Sequence, residues 1–165
     1  KVVILGAGGA AKAIAAILAL HGTAHLTVAN RDRSRAENLV KELKDKLVAD
    51  RAFTCELAAV GLTDRELDHA LANGRLVVQT TPVGMYPRIE AEPVIDPGRL
   101  SPRNLVYDII FNPRQTRFLA EANKRGCKTA NGMGMLLHQG ALAFELWTKE
   151  QAPLTVMRDA LAAAQ

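Results

Sequence analysis

Lys1-Val2-Val3-Ile4-Leu5-Gly6-Ala7-Gly8-Gly9-Ala10-Ala11 is the stretch whose reading decides the fold. Val2 to Leu5 are four apolar residues in a row, the mark of a short buried strand. They run directly into Gly6-x-Gly8-x-x-Ala11 and then into a helical pattern, with Ile14, Ile17 and Leu18 expected on one face. Strand, glycine turn and helix in that order open a βαβ unit that binds a dinucleotide. Each small residue has its own reason to be there. Gly6 permits the tight turn, Gly8 lets backbone approach a pyrophosphate, and Ala11 lets the helix lie close on the strand. The helix N-terminus adds unpaired N–H groups and a partial positive charge.

The 165 residues are enough for one domain with a sizeable core, expected over residues 1–165. Apolar residues make up 48% and charged residues 23%, as in ordinary globular proteins. No apolar run approaches the length of a membrane span, and no secretory leader is recognisable, so no membrane partner is expected. Net charge is +4 with only 4% aromatic residues, and the basic side chains are scattered along helix faces, which argues against a nucleic-acid surface. Cys55 and Cys127 lack metal or redox spacing and read as buried thiols of a cytoplasmic protein. No metal site is expected. The chain opens inside a core strand without an initiator Met, which suggests a fragment or a processed chain.

The first helix is expected to end near His21-Gly22, and Ala24 to Ala29 to form a second strand. That strand leads into Asn30-Arg31-Asp32-Arg33-Ser34-Arg35, about 22 residues beyond Gly8, where a dinucleotide fold meets the adenosine ribose. A carboxylate ending the strand would hold the 2′-hydroxyl of NAD and repel a 2′-phosphate. Asn30 and Arg31 stand there instead, with Arg35 one helical turn on, and guanidinium groups grip phosphate by bidentate hydrogen bonds. NADP is therefore expected over NAD. Asp32 has two readings: the N-cap of the next helix, or a hydroxyl ligand that relaxes the preference. Ser34 with Glu37 offers a competing capping box.

A weaker strand is expected from Arg51 to Leu57, then a capping box of Thr63 and Glu66 and a short helix to Asn73-Gly74. Leu76 to Thr80 read as a strand, broken by Pro82 and Gly84, so that the Thr81 to Met85 loop borders the ligand crevice. Pro87 to Pro102 read as an irregular surface loop. Leu105 to Ile110 form the next strand. A helix through Phe118, Leu119 and Ala122 follows, ending at Gly126, and then a short strand from Cys127 to Ala130. Two helices close the chain, one to about Trp147 and one starting at Pro153. Repeated βα units give an α/β fold: a doubly wound, mostly parallel, Rossmann-like sheet.

Five ordered motifs resemble the shikimate dehydrogenases: Gly6 to Ala10; Asn30-Arg31 with Arg35; Thr80-Thr81-Pro82-Val83-Gly84-Met85; Tyr107-Asp108 with Asn112-Pro113 and Thr116; and Gly132-x-Gly134-Met135-Leu136-x-x-Gln139. The quinate/shikimate dehydrogenases share most of the pattern. The resemblance implies an NADP-dependent oxidoreductase of aromatic amino-acid biosynthesis, on the chorismate route, reducing 3-dehydroshikimate to shikimate. It implies that Gly6, Ala7, Gly8, Gly9 and Ala10 hold the pyrophosphate, while Asn30, Arg31 and Arg35 frame the adenosine 2′-phosphate, with Asp32 in the same cofactor-binding segment. Thr80, Thr81, Ile109, Gly132 and Met135 would border the nicotinamide end. Gln139 would reach the substrate, since an amide both donates and accepts hydrogen bonds to a polyol.

Two residues depart from the family pattern. Phe111 stands where Tyr is common, removing a hydroxyl contact to substrate, and Asp32 stands where Thr is common. The resemblance also implies that the catalytic Lys and Asp belong to an N-terminal substrate domain that this chain lacks. His21, His25, His69 and His138 have no partner spacing for acid–base work, so no catalytic residue is expected here. The chain is expected to bind NADP(H) and to turn over little or nothing alone. Alternatives are a fragment acting on quinate and a stand-alone NADP-binding regulatory module. The helix from Met133 to Trp147 and the last helix, expected on the interdomain side, would expose apolar residues and favour self-association.

Overall fold

The computed structural model describes residues 1–47 and 53–163. Six strands, β1 (Val2–Leu5), β2 (His25–Asn30), β3 (Glu56–Gly61), β4 (Leu76–Gln79), β5 (Leu105–Asp108) and β6 (Lys128–Ala130), form one sheet in the order β3-β2-β1-β4-β5-β6. All neighbours are parallel. Crossovers come from α1 (Gly9–Leu20), α2 (Arg33–Leu47), α3 (Arg65–Asn73) and α4 (Arg117–Lys124), and α5 (Met133–Thr148) and α6 (Leu154–Ala163) follow the last strand. This is the Rossmann-like, doubly wound α/β arrangement that the repeated βα pattern predicts. The chain leaves β1 towards β2 on one side and returns to β4 on the other, so a crevice opens between the ends of β1 and β4.

Alternation along β1 builds two cores. Ile4 joins Leu26, Val28, Ala36, Leu39 and Leu43 beneath α1 and α2, while Leu5 joins Leu67, Leu71, Phe118 and Leu119 beneath α3 and α4. A strand buried on both faces must be apolar throughout, which is why Val2 to Leu5 show no polar alternation.

Several expectations need correction. The buried stripe of α1 is Ala11, Ala15 and Ala19, whereas Ile17 is 57% exposed. Small side chains four residues apart let this helix lie close to the sheet. The third strand begins at Glu56, later than expected, and residues 51 and 52 of the expected segment lie outside the described residues. Neither capping box forms. Asp32 accepts from the Ser34 N–H at 3.1 Å and the Ser34 hydroxyl at 2.6 Å, so it caps α2 and Ser34 lies inside the first turn. At α3 the N-cap is Asp64, not Thr63, and its carboxylate accepts from Gly61 N and Arg33 instead of from the helix. The segment from Pro87 to Pro102 is more than a surface loop. Ile95 and Leu100 are buried in the second core, flanking a 3-10 turn (Pro97–Arg99) capped by Asp96.

Candidate functional site: a crevice at the ends of β1, β2 and β4

The end of β1 is tied on both sides. Gly6 N donates to Ala29 O at 2.8 Å, while Thr80 donates through N and Oγ1 to Leu5 O at 2.9 and 2.8 Å. Gly6 has φ +116°, and a Cβ there would lie 2.5 Å from Thr80 Oγ1. The glycine is thus required by the backbone angle and by the neighbouring strand. Gly8 and Gly9 are different: a Cβ at either would meet nothing within 4 Å. Packing does not demand glycine there, and the openness fits a bulky anion resting on the turn. Gly8 is also the N-cap of α1, with no side-chain cap and no acidic residue in the first turn, so the first N–H groups stay available. Ala7 packs on the core and Ala10 is exposed in the first helical turn.

A crevice of about 440 Å³ opens beside this turn, lined by Gly6, Asn30, Arg31, Asp32, Arg35 and Thr81 among others. Asn30 donates through Nδ2 to Asp32 O at 2.9 Å and holds the turn between β2 and α2. The Ser34 hydrogen bond keeps the Asp32 carboxyl below its usual range, with Arg35 adding a smaller electrostatic effect in the same direction. Of the three clustered arginines, Arg33 is consumed by Glu37 and Asp64, each at 2.9 Å. Arg31 and Arg35 form no ion pair among the described residues. Two unpaired guanidinium groups on one rim, beside a glycine turn, suit a phosphate.

The loops after β4 and β5 are shaped by buried polar clamps that the motifs alone do not reveal. Gln79, 1% exposed, donates to Thr81 O and Val83 O and accepts from Thr81 N, folding the loop after β4 back on itself. With the Thr80 hydroxyl turned onto β1, Thr81 is the threonine that lines the crevice. Asp108, 0% exposed, accepts from Ile110 N at 3.0 Å and from Thr116 Oγ1 at 2.7 Å. Thr116 in turn caps α4 by accepting from Leu119 N. Tyr86 N donates to Asn112 O, joining the two loops. Their common signal in the sequence is a polar residue ending an apolar strand.

Gly132 N donates to Ile110 O at 2.9 Å, and a Cβ on Gly132 would lie 1.9 Å from Ile109 O. This contact seats the start of α5 against the end of β5. Met135 and Gln139 lie one turn apart on α5, Gln139 and Phe111 are exposed, and Ile109 is half-buried. Ile109, Phe111, Gly132, Met135 and Gln139 do not line the crevice at Arg31. They belong to a second group, at the β5–α5 junction. No group of three or more His, Cys, Asp or Glu among the described residues could hold a metal ion. No helix among them is long and apolar enough to cross a membrane.

Two families match this chain: shikimate/quinate 5-dehydrogenase over residues 1–81, and the shikimate 5′-dehydrogenase C-terminal domain over residues 132–162. A shikimate dehydrogenase (NADP+) of Methanopyrus kandleri is 45% identical over 161 residues, 98% of this chain and 53% of that protein. Among solved structures, a shikimate dehydrogenase in complex with NADP+ aligns with TM-score 0.84 and 38% identity, over 99% of this chain and 54% of the other. Quinate dehydrogenase from Corynebacterium glutamicum in complex with NAD aligns with TM-score 0.82 and 30% identity, over 98% and 54%. The chain spans about half the length of the curated relatives it matches.

Proposed function

The chain belongs to the shikimate dehydrogenase family, and from that premise we propose that it is the cofactor-binding half of an NADP-dependent shikimate dehydrogenase. The observation that carries the reading is the pair Arg31 and Arg35, which form no ion pair among the described residues and stand on the rim that Gly6 shares. In this role Gly8, Gly9 and the first N–H groups of α1 take the pyrophosphate. Arg31 and Arg35 hold the 2′-phosphate, Asn30 keeps their turn in shape, and Asp32 serves α2 as a cap instead of binding ribose. Thr81, Ile109, Gly132 and Met135 border the nicotinamide. Bound NADPH supplies the hydride that converts 3-dehydroshikimate to shikimate. Gln139 gives the substrate a paired donor and acceptor, and Phe111 offers it an apolar face.

Acid–base groups for the reaction come from a substrate domain outside these 165 residues, so the chain alone binds cofactor in the cytoplasm without appreciable turnover. Its partners are small molecules, with no nucleic acid or membrane among them. A calorimetric titration with NADP and NAD, wild type beside Arg31→Ala, tests the cofactor assignment. NADP should bind more tightly, and Arg31→Ala should weaken it by about tenfold or more, the value of one charge-assisted contact, while leaving NAD nearly unchanged. Equal binding of both cofactors by the wild type would overturn it. Shikimate oxidation should appear only when the substrate domain is supplied in trans; failure to appear would favour a regulatory NADP-binding module.

One observation favours a second substrate. Phe111 carries no hydroxyl to fix the substrate ring, and a quinate dehydrogenase is among the structural neighbours. Rates with shikimate and quinate in the reassembled protein separate the two.

A further inference from the structure

The first turn of α1 and the middle of α2 flank a second hollow of about 390 Å³, lined by Gly8, Gly9, Lys12, Arg35, Asn38 and Glu42 among others. Arg35 lines both this hollow and the crevice at Arg31, so the two share one residue on their rims. Lys12 Nζ is bonded to Glu42 Oε1 at 2.5 Å, and Lys46 Nζ reaches the same oxygen at 2.7 Å. One carboxylate therefore holds two ammonium groups, with the Lys12 bond the larger influence in lowering its pKa to about 2. The Lys12 and Glu42 side chains are 42% and 39% exposed, so the pair is open to exchange. With Lys12 and Arg35 against Glu42, the lining of the hollow carries an excess of positive charge.

We propose that Lys12 is a third cation of the 2′-phosphate subsite, parked on Glu42 while the hollow is empty, and that Glu42 competes with the phosphate for it. The inference rests on the NADP reading above and deepens it. Lys12 starts one helical turn beyond Gly8, on the side of α1 that faces Arg35 across the hollow. A dianionic phosphate between Lys12 and Arg35 offers the ammonium more charge than one carboxylate does. Glu42 is not stranded by the exchange, because Lys46 remains on it. That retained partner makes the switch affordable in a half-exposed site. Glu42 thereby lowers affinity for 2′-phosphorylated nucleotides specifically and leaves nucleotides with a free 2′-hydroxyl alone.

The test is titration of the chain with NADP, NAD and 2′,5′-ADP, comparing wild type, Lys12→Gln, Glu42→Gln and the double variant, with Arg31→Ala as reference. Lys12→Gln should weaken NADP and 2′,5′-ADP by roughly tenfold, one charge-assisted contact, and shift NAD by less than about twofold. Glu42→Gln should tighten NADP and 2′,5′-ADP several-fold, and that gain should vanish in the double variant, because Glu42 acts through Lys12. Equal weakening of NADP and NAD by Lys12→Gln would place the ammonium on the pyrophosphate and overturn the assignment. A Glu42→Gln gain that persists without Lys12 would overturn the competition. Failure of the underlying reading looks different: wild type would not distinguish NADP from NAD, and Arg31→Ala would change nothing.

Discussion

Asp108 is the buried carboxyl that holds the loop after β5, with one oxygen on Ile110 N and the other on Thr116 Oγ1. Burial is the largest influence on it and raises its pKa above the ordinary 3.8, against the smaller opposing effect of Thr116. A raised pKa means that the folded chain holds this proton more tightly than the unfolded chain. The stability that the group contributes is therefore fully present below 3.8 and is lost as pH rises through the folded value. Asp108→Asn abolishes the titration while keeping an acceptor for Ile110 N, and its amide can donate to the Thr116 hydroxyl. Urea denaturation from about pH 4 to 7 should show the Asn variant gaining on wild type as pH rises. A gap between the two that does not move with pH would refute this. Asp108→Ala, by contrast, leaves a buried N–H and hydroxyl without partners and should cost about 2 to 3 kcal/mol near pH 4, a deficit that narrows as wild type loses stability with rising pH.

Among the elements, the turn from β1 to α1 separates folding from binding. Gly6→Ala must place a Cβ against Thr80 at φ +116°, so it should lower stability by about 2 kcal/mol or more and lower the melting temperature clearly. Gly8→Ala meets open space, so its melting temperature should stay within a few degrees of wild type while NADP binding falls sharply. Undiminished NADP binding by a folded Gly8→Ala chain would remove Gly8 from the phosphate cradle. Gly6, Gly8 and Ala11 are legible in the sequence because the demands on them are local: a turn angle, a close approach, a helix lying on its strand. The third strand was not legible in place. Phe53, Thr54 and Cys55 carry the β propensity, whereas the strand itself uses Leu57, Ala58, Ala59 and Val60, whose register is set by pairing with β2. The capping boxes misled for a related reason. The cap of α3 falls on Asp64 in place of the expected Thr63, and a backbone N–H three residues back and an arginine from α2 draw the Asp64 carboxylate away from the helix. Gln79 and Asp108 were invisible as clamps because burial of a polar side chain is decided by tertiary packing.

Over the whole molecule, the apolar surface is uneven. α5 and α6 carry Leu142 at 68% exposure, Leu146 at 66%, Val156 at 66% and Trp147 at 80%, beside a helix pair whose contact is as close as Gly140 against Met157. Large apolar side chains so exposed and so near one another mark a surface that associates with something. If the proposed role holds, a substrate domain is expected to cover this face, and in the isolated chain a second copy is expected to take its place. Trp147 is the chain's single tryptophan, so its fluorescence reports on that face alone. Raising the protein concentration should shift Trp147 emission to shorter wavelength as sedimentation moves beyond the monomer, and a hydrophobic dye should bind and then be displaced. Leu146→Gln with Trp147→Ser should give a monomer without dye affinity. Both positions are exposed, so that double variant should change stability by no more than about 0.5 kcal/mol per site. A wild-type chain that stays monomeric and ignores the dye at high concentration would show that these helices do not form a docking face.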